Sequence, residues 1–343
     1  MTKLRVVVVG QGLIGRQRVD AVLQLRDRYP IELVGTVDPA VAGSGEAPHF
    51  AALADLNDVA FDAAIVSVPH DLTASIVGAL LDRGKAVLVE KPLGLTVDEA
   101  ERIRDKAARL ERPSFVGYNY RFLPTVVRAF DALNSGALGR LRSLDLLLSH
   151  GGNPDSANGW KLQPSRAGGG VIIDPGTHLI DLLRCAVPDA DLAYVGATRG
   201  FWPTGIEEDI VGTFVADQVL ATVRVSHIRW VSTFRIELFG EDGYAVIDGR
   251  GGTYGPQTLR IGKRWAWLES AGASQRETEQ TWDFGYANTS LVDELAAVSE
   301  RWISGGPDPV AFPHPATMAE ATEVARECDR MYRWIAEVGA PNN

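Results

Sequence analysis

Short apolar runs alternate with amphipathic segments over the first third of the chain. The apolar runs are RVVVVG, IELVGTVD, DAAIVSV, AVLVE and SFVGY, and helical patterns lie near 13–25, 47–56, 71–83 and 96–110. Continuous apolar runs are typical of parallel strands that helices cover on both faces. This alternation therefore predicts an α/β domain over residues 1–122 with a parallel, doubly wound sheet.

From about residue 141 the pattern changes to longer strands with alternating polarity. These are LRSLDLLLSH, IVGTFVA, VLATVRVSH, FRIELFG and YAVID, with turn signals at GEDGY and GRGG. Alternation of this kind predicts a large, open, mainly antiparallel sheet with one packed face. Helical patterns near 285–304 and 315–338 follow. We therefore expect an α+β domain over 123–343, whose C-terminal helices are free to pack back on the first domain.

Length, charge and cysteine content narrow the class of protein. A chain of 343 residues exceeds the usual size of a single core, and its net charge of −10 disfavours nucleic acid as a partner. Cys185 and Cys328 lie far apart without metal-binding spacing, which predicts buried thiols in a reducing compartment and no metal site. With neither a signal-like start nor a long apolar run, we expect a cytoplasmic protein that does not bind membranes.

A glycine-rich turn follows the first apolar run. Its residues are Gly10, Gln11, Gly12, Leu13, Ile14 and Gly15. Glycines with this spacing between a strand and a helix form a tight turn that admits a pyrophosphate. Asp38 ends the second run, where a carboxylate binds ribose hydroxyls, and no arginine follows it to receive a 2′-phosphate. The pattern predicts NAD rather than NADP, although Asp38 also suits an ordinary turn before Pro39.

Polar residues also follow the fourth and fifth apolar runs. Lys91 comes directly after AVLVE, at the end of a strand where open α/β sheets bind their ligands, and Pro92 permits a cis Lys–Pro bond. Four polar or aromatic residues follow the fifth run: Tyr118, Asn119, Tyr120 and Arg121. These four either contact the cofactor or substrate or pack at the domain junction.

Taken together, the motifs resemble those of the Gfo/Idh/MocA oxidoreductases. The resemblance lies in GQGLIG, Asp38, EKP at 90–92, GYNYRFLP at 117–124 and GGGVIIDPGTHLIDLLR at 168–184. It implies an NAD-binding Rossmann domain and an α+β domain whose open sheet forms a homodimer or homotetramer. It also implies that Lys91, Asp174 and His178 form a catalytic triad around a reacting hydroxyl.

The chemistry of alcohol oxidation suits these three residue types. His178 would accept the hydroxyl proton, since imidazole titrates near neutral pH, and Lys91 would stabilise the developing alkoxide charge. Asp174 would orient the hydroxyl or the imidazole. If a helix begins at Asp174, both groups lie on one side of its first turn. Two simpler interpretations stay open: Asp174 as a helix N-cap and His178 as a core histidine.

The candidate site includes further residues. We expect cofactor contacts from Pro69, His70, Glu90, Lys91 and Asn119, and substrate contacts from Tyr118, Tyr120 and Arg121. Trp160 and Lys161 lie in a polar segment, 151–170, that is plausible as a flexible lip over the site, and Tyr286 would line the opposite wall. For Trp160, Lys161 and Tyr286, surface packing is the alternative.

Three positions depart from the pattern of many relatives. His70 and Thr73 stand where relatives carry asparagine and histidine, and Arg18 stands where they often carry histidine. These changes concern the cofactor edge rather than the triad. An arginine near the pyrophosphate would strengthen anion binding, which is the role that we expect for Arg18.

We therefore predict an NAD-dependent dehydrogenase that oxidises or reduces a secondary hydroxyl or ketone of a sugar, an inositol or a sugar derivative. Three alternatives remain at this stage. One is an NAD-dependent glycosidase of the same family, the second is a reductase of nonsugar substrates, and the third is a dinucleotide-sensing regulator without catalysis. Retention of all three triad residues argues against the sensor, because a pure binder needs no base.

Overall fold

The computed structural model describes residues 3–43, 45–110, 113–152, 159–264, 279–305 and 311–338. The chain divides into two compact units. Unit 1 comprises residues 1–122, 165–168 and 289–326, and unit 2 comprises 123–164, 169–288 and 327–343.

Fifteen strands and eight helices are assigned within the described residues. The strands are β1 (Leu4–Val9), β2 (Ile31–Val37), β3 (His49–Phe50), β4 (Ala63–Val66), β5 (Ala86–Glu90), β6 (Phe115–Gly117), β7 (Leu141–Ser149), β8 (Asp191–Thr198), β9 (Asp209–Ala216), β10 (Val219–Ser226), β11 (Thr233–Gly240), β12 (Gly243–Asp248), β13 (Thr258–Lys263), β14 (Gln280–Asp283) and β15 (Ala316–Thr317). The helices are α1 (Leu13–Leu25), α2 (His70–Asp82), α3 (Val97–Ala107), α4 (Pro124–Asn134), α5 (Pro164–Ala167), α6 (Thr177–Ala186), α7 (Ser290–Ser304) and α8 (Met318–Val338).

Unit 1 contains a seven-stranded sheet in the order β15-β6-β5-β4-β1-β2-β3. Strands β1 to β6 pair in parallel, and the short β15 adds to β6 in the antiparallel sense. Helix α1 follows β1 and packs on β1, β2 and β4, while α2 packs on β4 and β5. The predicted parallel, Rossmann-type sheet is confirmed.

The core of unit 1 explains why its strands consist of continuous apolar runs. Alternate residues of β1 and β4 are buried together with the inner face of α1, and α7 contributes Leu295, Val298 and Trp302 to the same cluster. The Trp302 Nε1–H donates to the carbonyl oxygen of Pro113 at 2.8 Å, so the indole is buried without losing its hydrogen bond. Helix α7 is therefore part of the first hydrophobic core.

One predicted element of unit 1 is wrong. The helix predicted near 47–56 is instead the short strand β3 followed by a single 3₁₀ turn, Leu53–Leu56. Strand β3 extends the sheet because His49 and Phe50 pair with Thr36 and Val37 of β2. The backbone groups of His49 and Phe50 therefore form hydrogen bonds with the edge of the sheet, whereas in a helix they would have bonded within the segment itself.

Unit 2 contains an eight-stranded sheet in the order β14-β13-β12-β11-β7-β10-β9-β8. Its neighbours are antiparallel except β7 and β10, which run parallel. In β7 the side chains of Leu144, Leu146 and Leu148 are buried, whereas Asp145 between them is partly exposed. Helix α4 packs on β12 and β13, and α6 packs on β7 and β10. The mainly antiparallel sheet with a packed face is confirmed.

The two predicted C-terminal helices are present as α7 and α8. Helix α8 is the longer, with 21 residues, and charged side chains such as Glu320, Arg326 and Arg330 occur along it. Within the described ranges, no helix combines the length and the apolar character that crossing a bilayer requires.

Candidate active site

The glycine-rich turn of unit 1 has the backbone geometry that its spacing predicts. Gly10 has a φ of +93°, and a Cβ there would lie 2.2 Å from the carbonyl oxygen of Ser67. A Cβ on Gly15 would lie 1.9 Å from the carbonyl oxygen of Gly10. Gly12, the N-cap of α1, differs, because a Cβ there would meet none of the described atoms within 4 Å. Open space thus adjoins the amide end of α1, where the glycine spacing predicts a pyrophosphate.

Asp38 lies beside this turn and its carboxylate holds three backbone amides. Oδ2 accepts from the Gln11 N–H at 2.8 Å, and Oδ1 accepts from the N–H groups of Ala40 at 2.8 Å and Val41 at 2.9 Å. Burial alone would raise the pKa of Asp38, but these donors outweigh it and lower the pKa below its usual value. A negative carboxylate at this point suits ribose hydroxyls.

The other predicted cofactor residues have varied surroundings. Leu13 and Ile14 are exposed by 70% and 37%, which leaves their side chains accessible at the start of α1. Pro69 is the N-cap of α2, and the buried His70 donates from Nδ1 to the carbonyl oxygen of Ala167 at 2.9 Å. Asn119 donates from Nδ2 to Ser290 Oγ at 2.7 Å. Their contacts with a cofactor stay predictions.

The EKP motif lies at the end of β5. Glu90 is the last residue of the strand, and the Lys91–Pro92 peptide bond is cis. Glu90 Oε1 accepts a hydrogen bond from Arg18 Nε at 2.7 Å. Arg18 is fully buried and also pairs with Glu294, so the anion-binding role predicted for it is wrong. Two protein carboxylates, rather than a phosphate, neutralise this guanidinium.

The segment after β6 is buried within unit 1. Tyr118, Tyr120 and Arg121 are each less than 10% exposed. The Arg121 guanidinium lies 3.1 Å from the carboxylate of Glu320 and 3.0 Å from His314 Nε2. Burial raises the pKa of Glu320, but His314 and Arg121 outweigh this and lower it to about 2. The substrate contacts predicted for these three residues stay predictions.

In unit 2 the structure brings two predicted site residues together. Lys161 Nζ lies 2.6 Å from Asp174 Oδ2. Asp174 has φ −137° and ψ 105°, which are not helical, and α6 begins only at Thr177. The predicted helix start at Asp174 is therefore wrong, because the following Pro175 disfavours the helical conformation at this residue. An extended backbone is what an N-cap residue adopts, so it does not contradict the alternative role as an N-cap, although the residue directly before α6 is Gly176. His178 is buried at the second position of α6.

Glu207 holds the segment that carries Asp174, and sequence reasoning missed it. Its Oε1 accepts from the N–H groups of Gly170 at 3.0 Å and Ile172 at 3.1 Å, and from the Tyr332 hydroxyl at 2.7 Å. Burial and the neighbouring Glu207 carboxylate raise the pKa of Tyr332 above its usual value. No local motif marks Glu207, because its partners come from distant parts of the chain.

A pair of histidines near Asp174 was also missed. His150 follows β7 and His227 follows β10, and their ring centroids lie 4.3 Å apart. Burial lowers the pKa of His150; the charge of Asp174 opposes this shift, while Arg250 and Lys161 add to it. The available signal was that two predicted strands both end in Ser-His. The parallel pairing of these strands, which aligns Ser149 with Ser226, brings the two rings together.

The remaining predicted residues of unit 2 lie at its surface. Trp160 begins the 3₁₀ turn Trp160–Leu162, with Lys161 Nζ 5.8 Å from its ring centroid, and Tyr286 is 65% exposed. Residues 153–158 of the predicted lip lie outside the described residues. Of the predicted triad, Lys91 belongs to unit 1, whereas Asp174 and His178 belong to unit 2.

Comparison with family models gives one match in each part of the chain. Residues 4–118 match the oxidoreductase family with an NAD-binding Rossmann fold, and residues 126–246 match the Gfo/Idh/MocA C-terminal domain. The two matches together cover more than half of the chain. They come from the N-terminal and C-terminal models of one family.

Individual relatives are more distant. The chain is 32% identical over 139 residues to levoglucosan dehydrogenase of Pseudarthrobacter phenanthrenivorans, over 40% of this chain and 35% of that protein. It is 27% identical over 265 residues to inositol 2-dehydrogenase of Mycolicibacterium gilvum, over 72% of each. For three curated relatives with strong matches, the chain spans 35% to 62% of their length. A levoglucosan dehydrogenase solved with NADH and levoglucosan shares the fold, with a TM-score of 0.82, 18% identity and coverage of 99% of this chain and 100% of that one.

Proposed function

The chain belongs to the Gfo/Idh/MocA family of oxidoreductases, and on that premise we propose that it is an NAD-dependent dehydrogenase. Its substrate is a sugar, an inositol or a sugar derivative that reacts at a secondary hydroxyl or the corresponding ketone. The related proteins named levoglucosan dehydrogenase and inositol 2-dehydrogenase support this substrate class.

The observation that carries the cofactor assignment is the pairing of Asp38 with the glycine turn. The Asp38 carboxylate accepts a hydrogen bond from the backbone N–H of Gln11 inside the turn. This bond holds the negative charge beside the glycine-rich turn. Gly10 and Gly15 leave no room for a side chain. Beside Gly12, by contrast, none of the described atoms lies within 4 Å of an added Cβ. An adenosine ribose bound to this carboxylate must lack a 2′-phosphate, which supports NAD over NADP.

The proposed mechanism assigns one task to each triad residue. NAD, when bound, supplies a hydride acceptor. His178 takes the hydroxyl proton, and the Lys91 ammonium group stabilises the negative charge that develops on the oxygen. Asp174 orients the hydroxyl, and Lys161 holds the Asp174 carboxylate through their 2.6 Å ion pair. A substrate hydroxyl that reaches Asp174 therefore shares this carboxylate with Lys161.

A substrate panel tests the activity directly. Purified protein is incubated with NAD and individual sugars, inositols and sugar derivatives, and NADH is followed by absorbance. We expect steady NADH formation with at least one polyol and loss of turnover in Lys91→Ala. Glycoside cleavage without net NADH would instead identify a hydrolase, and nucleotide binding without any turnover would identify a sensor.

Asp38→Asn tests the cofactor assignment, because asparagine retains an acceptor for the backbone amides but lacks the charge. We expect the preference for NAD over NADP to fall by about tenfold to a hundredfold, since hydrogen bonds to charged groups contribute about 1.5–3 kcal/mol. Dissociation constants of both nucleotides give this ratio. Asp55→Asn is the matched control, because Asp55 accepts a backbone amide, that of Ala52, in the separate 3₁₀ turn Leu53–Leu56. An unchanged ratio in Asp38→Asn would reject the assignment.

Two further properties belong to the proposal, the subunit number and the cellular compartment. We propose that the chain forms a homodimer or homotetramer through the open sheet of unit 2 and works in the cytoplasm. Light scattering coupled to size-exclusion chromatography measures the subunit number, and a monomer at micromolar concentration would contradict the first point.

A further inference from the structure

Arg18 joins three elements of unit 1 through one buried guanidinium. Its Nε donates to Glu90 Oε1 at 2.7 Å, and its Nη2 donates to Glu294 Oε2 at 2.6 Å. Nη1 donates to the carbonyl oxygen of Leu291 at 3.3 Å. The side chain thus connects α1, which follows the glycine turn, with the end of β5 and with α7.

The charges of this cluster are expensive to bury. Burial lowers the pKa of Arg18, but the two carboxylates outweigh it and raise the pKa, so the guanidinium stays positive. Burial raises the pKa of Glu294 to about 7 even with Arg18 beside it. Apolar residues of similar volume often stabilise a buried site as well as an ion cluster does. Stability alone therefore does not explain why three ionisable side chains meet here.

The geometry at the end of β5 suggests what the cluster holds. Glu90 pairs with Gly117 of β6, and a Cβ on Gly117 would lie 2.9 Å from Arg18 Nη2 and 3.1 Å from Glu90 Oε2. Glycine at 117 therefore leaves room for the ion pair. Lys91 follows Glu90 directly, so the two residues share one peptide group. Fixing the Glu90 side chain also fixes the backbone from which the Lys91 side chain departs.

We propose that Arg18, held by Glu294, is a positioning residue that anchors Glu90 and thereby sets where Lys91 presents its ammonium group. The inference deepens the proposed function, because it rests on the role of Lys91 as the group that stabilises the alkoxide. A displacement of about 1 Å in such a group can lower the rate about a hundredfold.

The decisive variant is the double substitution Arg18→Met with Glu294→Leu. It removes the cation and one carboxylate together and refills their volume, so the fold does not have to accommodate an unpaired charge at Glu294. We expect a melting temperature close to that of the wild type and NAD affinity within about threefold. We expect kcat to fall at least about tenfold, with a smaller change in KM. Wild-type kcat in this folded variant would overturn the proposal, and so would a loss confined to NAD affinity.

Two comparison variants separate positioning from stability. Arg18→Lys keeps the charge but cannot form the same forked contacts, so kcat should lie between the wild type and the double variant. Val298→Ala removes volume from the buried face of α7 and keeps all three ionisable side chains of the cluster. It should lower the melting temperature and leave kcat unchanged at temperatures below the unfolding transition. If Val298→Ala loses as much kcat as the double variant, the cluster acts only through stability and the proposal fails.

A spectroscopic measurement tests the position of Lys91 without relying on activity. The chain has six lysines, so reductive methylation with carbon-13 gives an NMR spectrum with few signals. The signal that disappears in Lys91→Arg belongs to Lys91. We expect this signal to shift in the double variant and to stay in place in Val298→Ala; an unmoved signal in the double variant would overturn the proposal. If the wild type oxidises no polyol, the proposed function fails while this readout still decides the positioning.

Discussion

Unit 1 and unit 2 each use a glutamate to hold a segment that carries proposed catalytic residues, but by different means. In unit 1, Glu90 is held by the guanidinium of Arg18, which a second carboxylate, Glu294, also contacts. In unit 2, Glu207 accepts hydrogen bonds from Gly170, Ile172 and the Tyr332 hydroxyl, all of them neutral donors. The first arrangement depends on charge balance, and the second depends on the number of donors.

The two segments are therefore sensitive to different substitutions. Removing Arg18 from the first cluster leaves the buried carboxylate of Glu294 and the partly buried carboxylate of Glu90 without the guanidinium that binds both. Removing the one acceptor of the second cluster leaves three unsatisfied donors but no unpaired charge. The two clusters should therefore respond differently to pH, and the predictions below test this contrast.

Arg18→Met should have the largest effect on stability. We expect the free energy of unfolding at pH 8 to fall by about 3–5 kcal/mol, the usual cost of breaking a buried ion pair. Without Arg18, the pKa of Glu294 in the folded protein should rise further above its unfolded value, so this loss should shrink as the pH falls toward 5. Urea denaturation at both pH values measures it, and a loss independent of pH would contradict the charge-balance account.

Glu207→Ala should have the next largest effect. Leaving three buried donors without their acceptor should lower the free energy of unfolding by about 3 kcal/mol, with little change between pH 5 and 8. Glu207→Gln is the matched control, since its carbonyl oxygen still accepts hydrogen bonds, and it should lose much less. Equal losses in the two variants would show that the charge of Glu207, rather than its acceptor geometry, stabilises the segment.

Glu294→Gln should have the smallest effect on stability, but it tests the direction in which stability changes with pH. Its pKa in the folded protein, about 7, lies above the ordinary glutamate value of 4.5, so the folded state holds this proton more tightly than the unfolded state does. The contribution of Glu294 to stability is therefore greatest below pH 4.5 and declines as the pH rises through 7. Melting temperatures measured from pH 5 to 8 should decline less in Glu294→Gln than in the wild type. A steeper decline in the variant would contradict the direction of this shift.

The local patterns predicted most of unit 1 because each buried strand and its helix are contiguous in sequence. Gly10 to Gly15 and Asp38 were predicted together, and the structure joins them through the Gln11 amide. The helix predicted near 47–56 failed because pairing of His49 and Phe50 with β2 outweighed local helical periodicity. The role predicted for Arg18 failed because its partners, Glu90 and Glu294, are 72 and 276 residues away.

Local patterns in the amino-acid sequence were enough to predict the two types of sheet, the glycine-rich turn with Asp38, and the family to which the chain belongs. These features depend on periodicity and spacing within short segments, where interactions between neighbouring residues largely set the backbone conformation. Three other features become visible only in the folded chain: the parallel pairing that brings His150 to His227, the ion cluster of Arg18, and the hydrogen bonds that Glu207 accepts from the segment before Asp174. Each of these depends on contacts between residues tens to hundreds of positions apart, which a local pattern is not sufficient to fix.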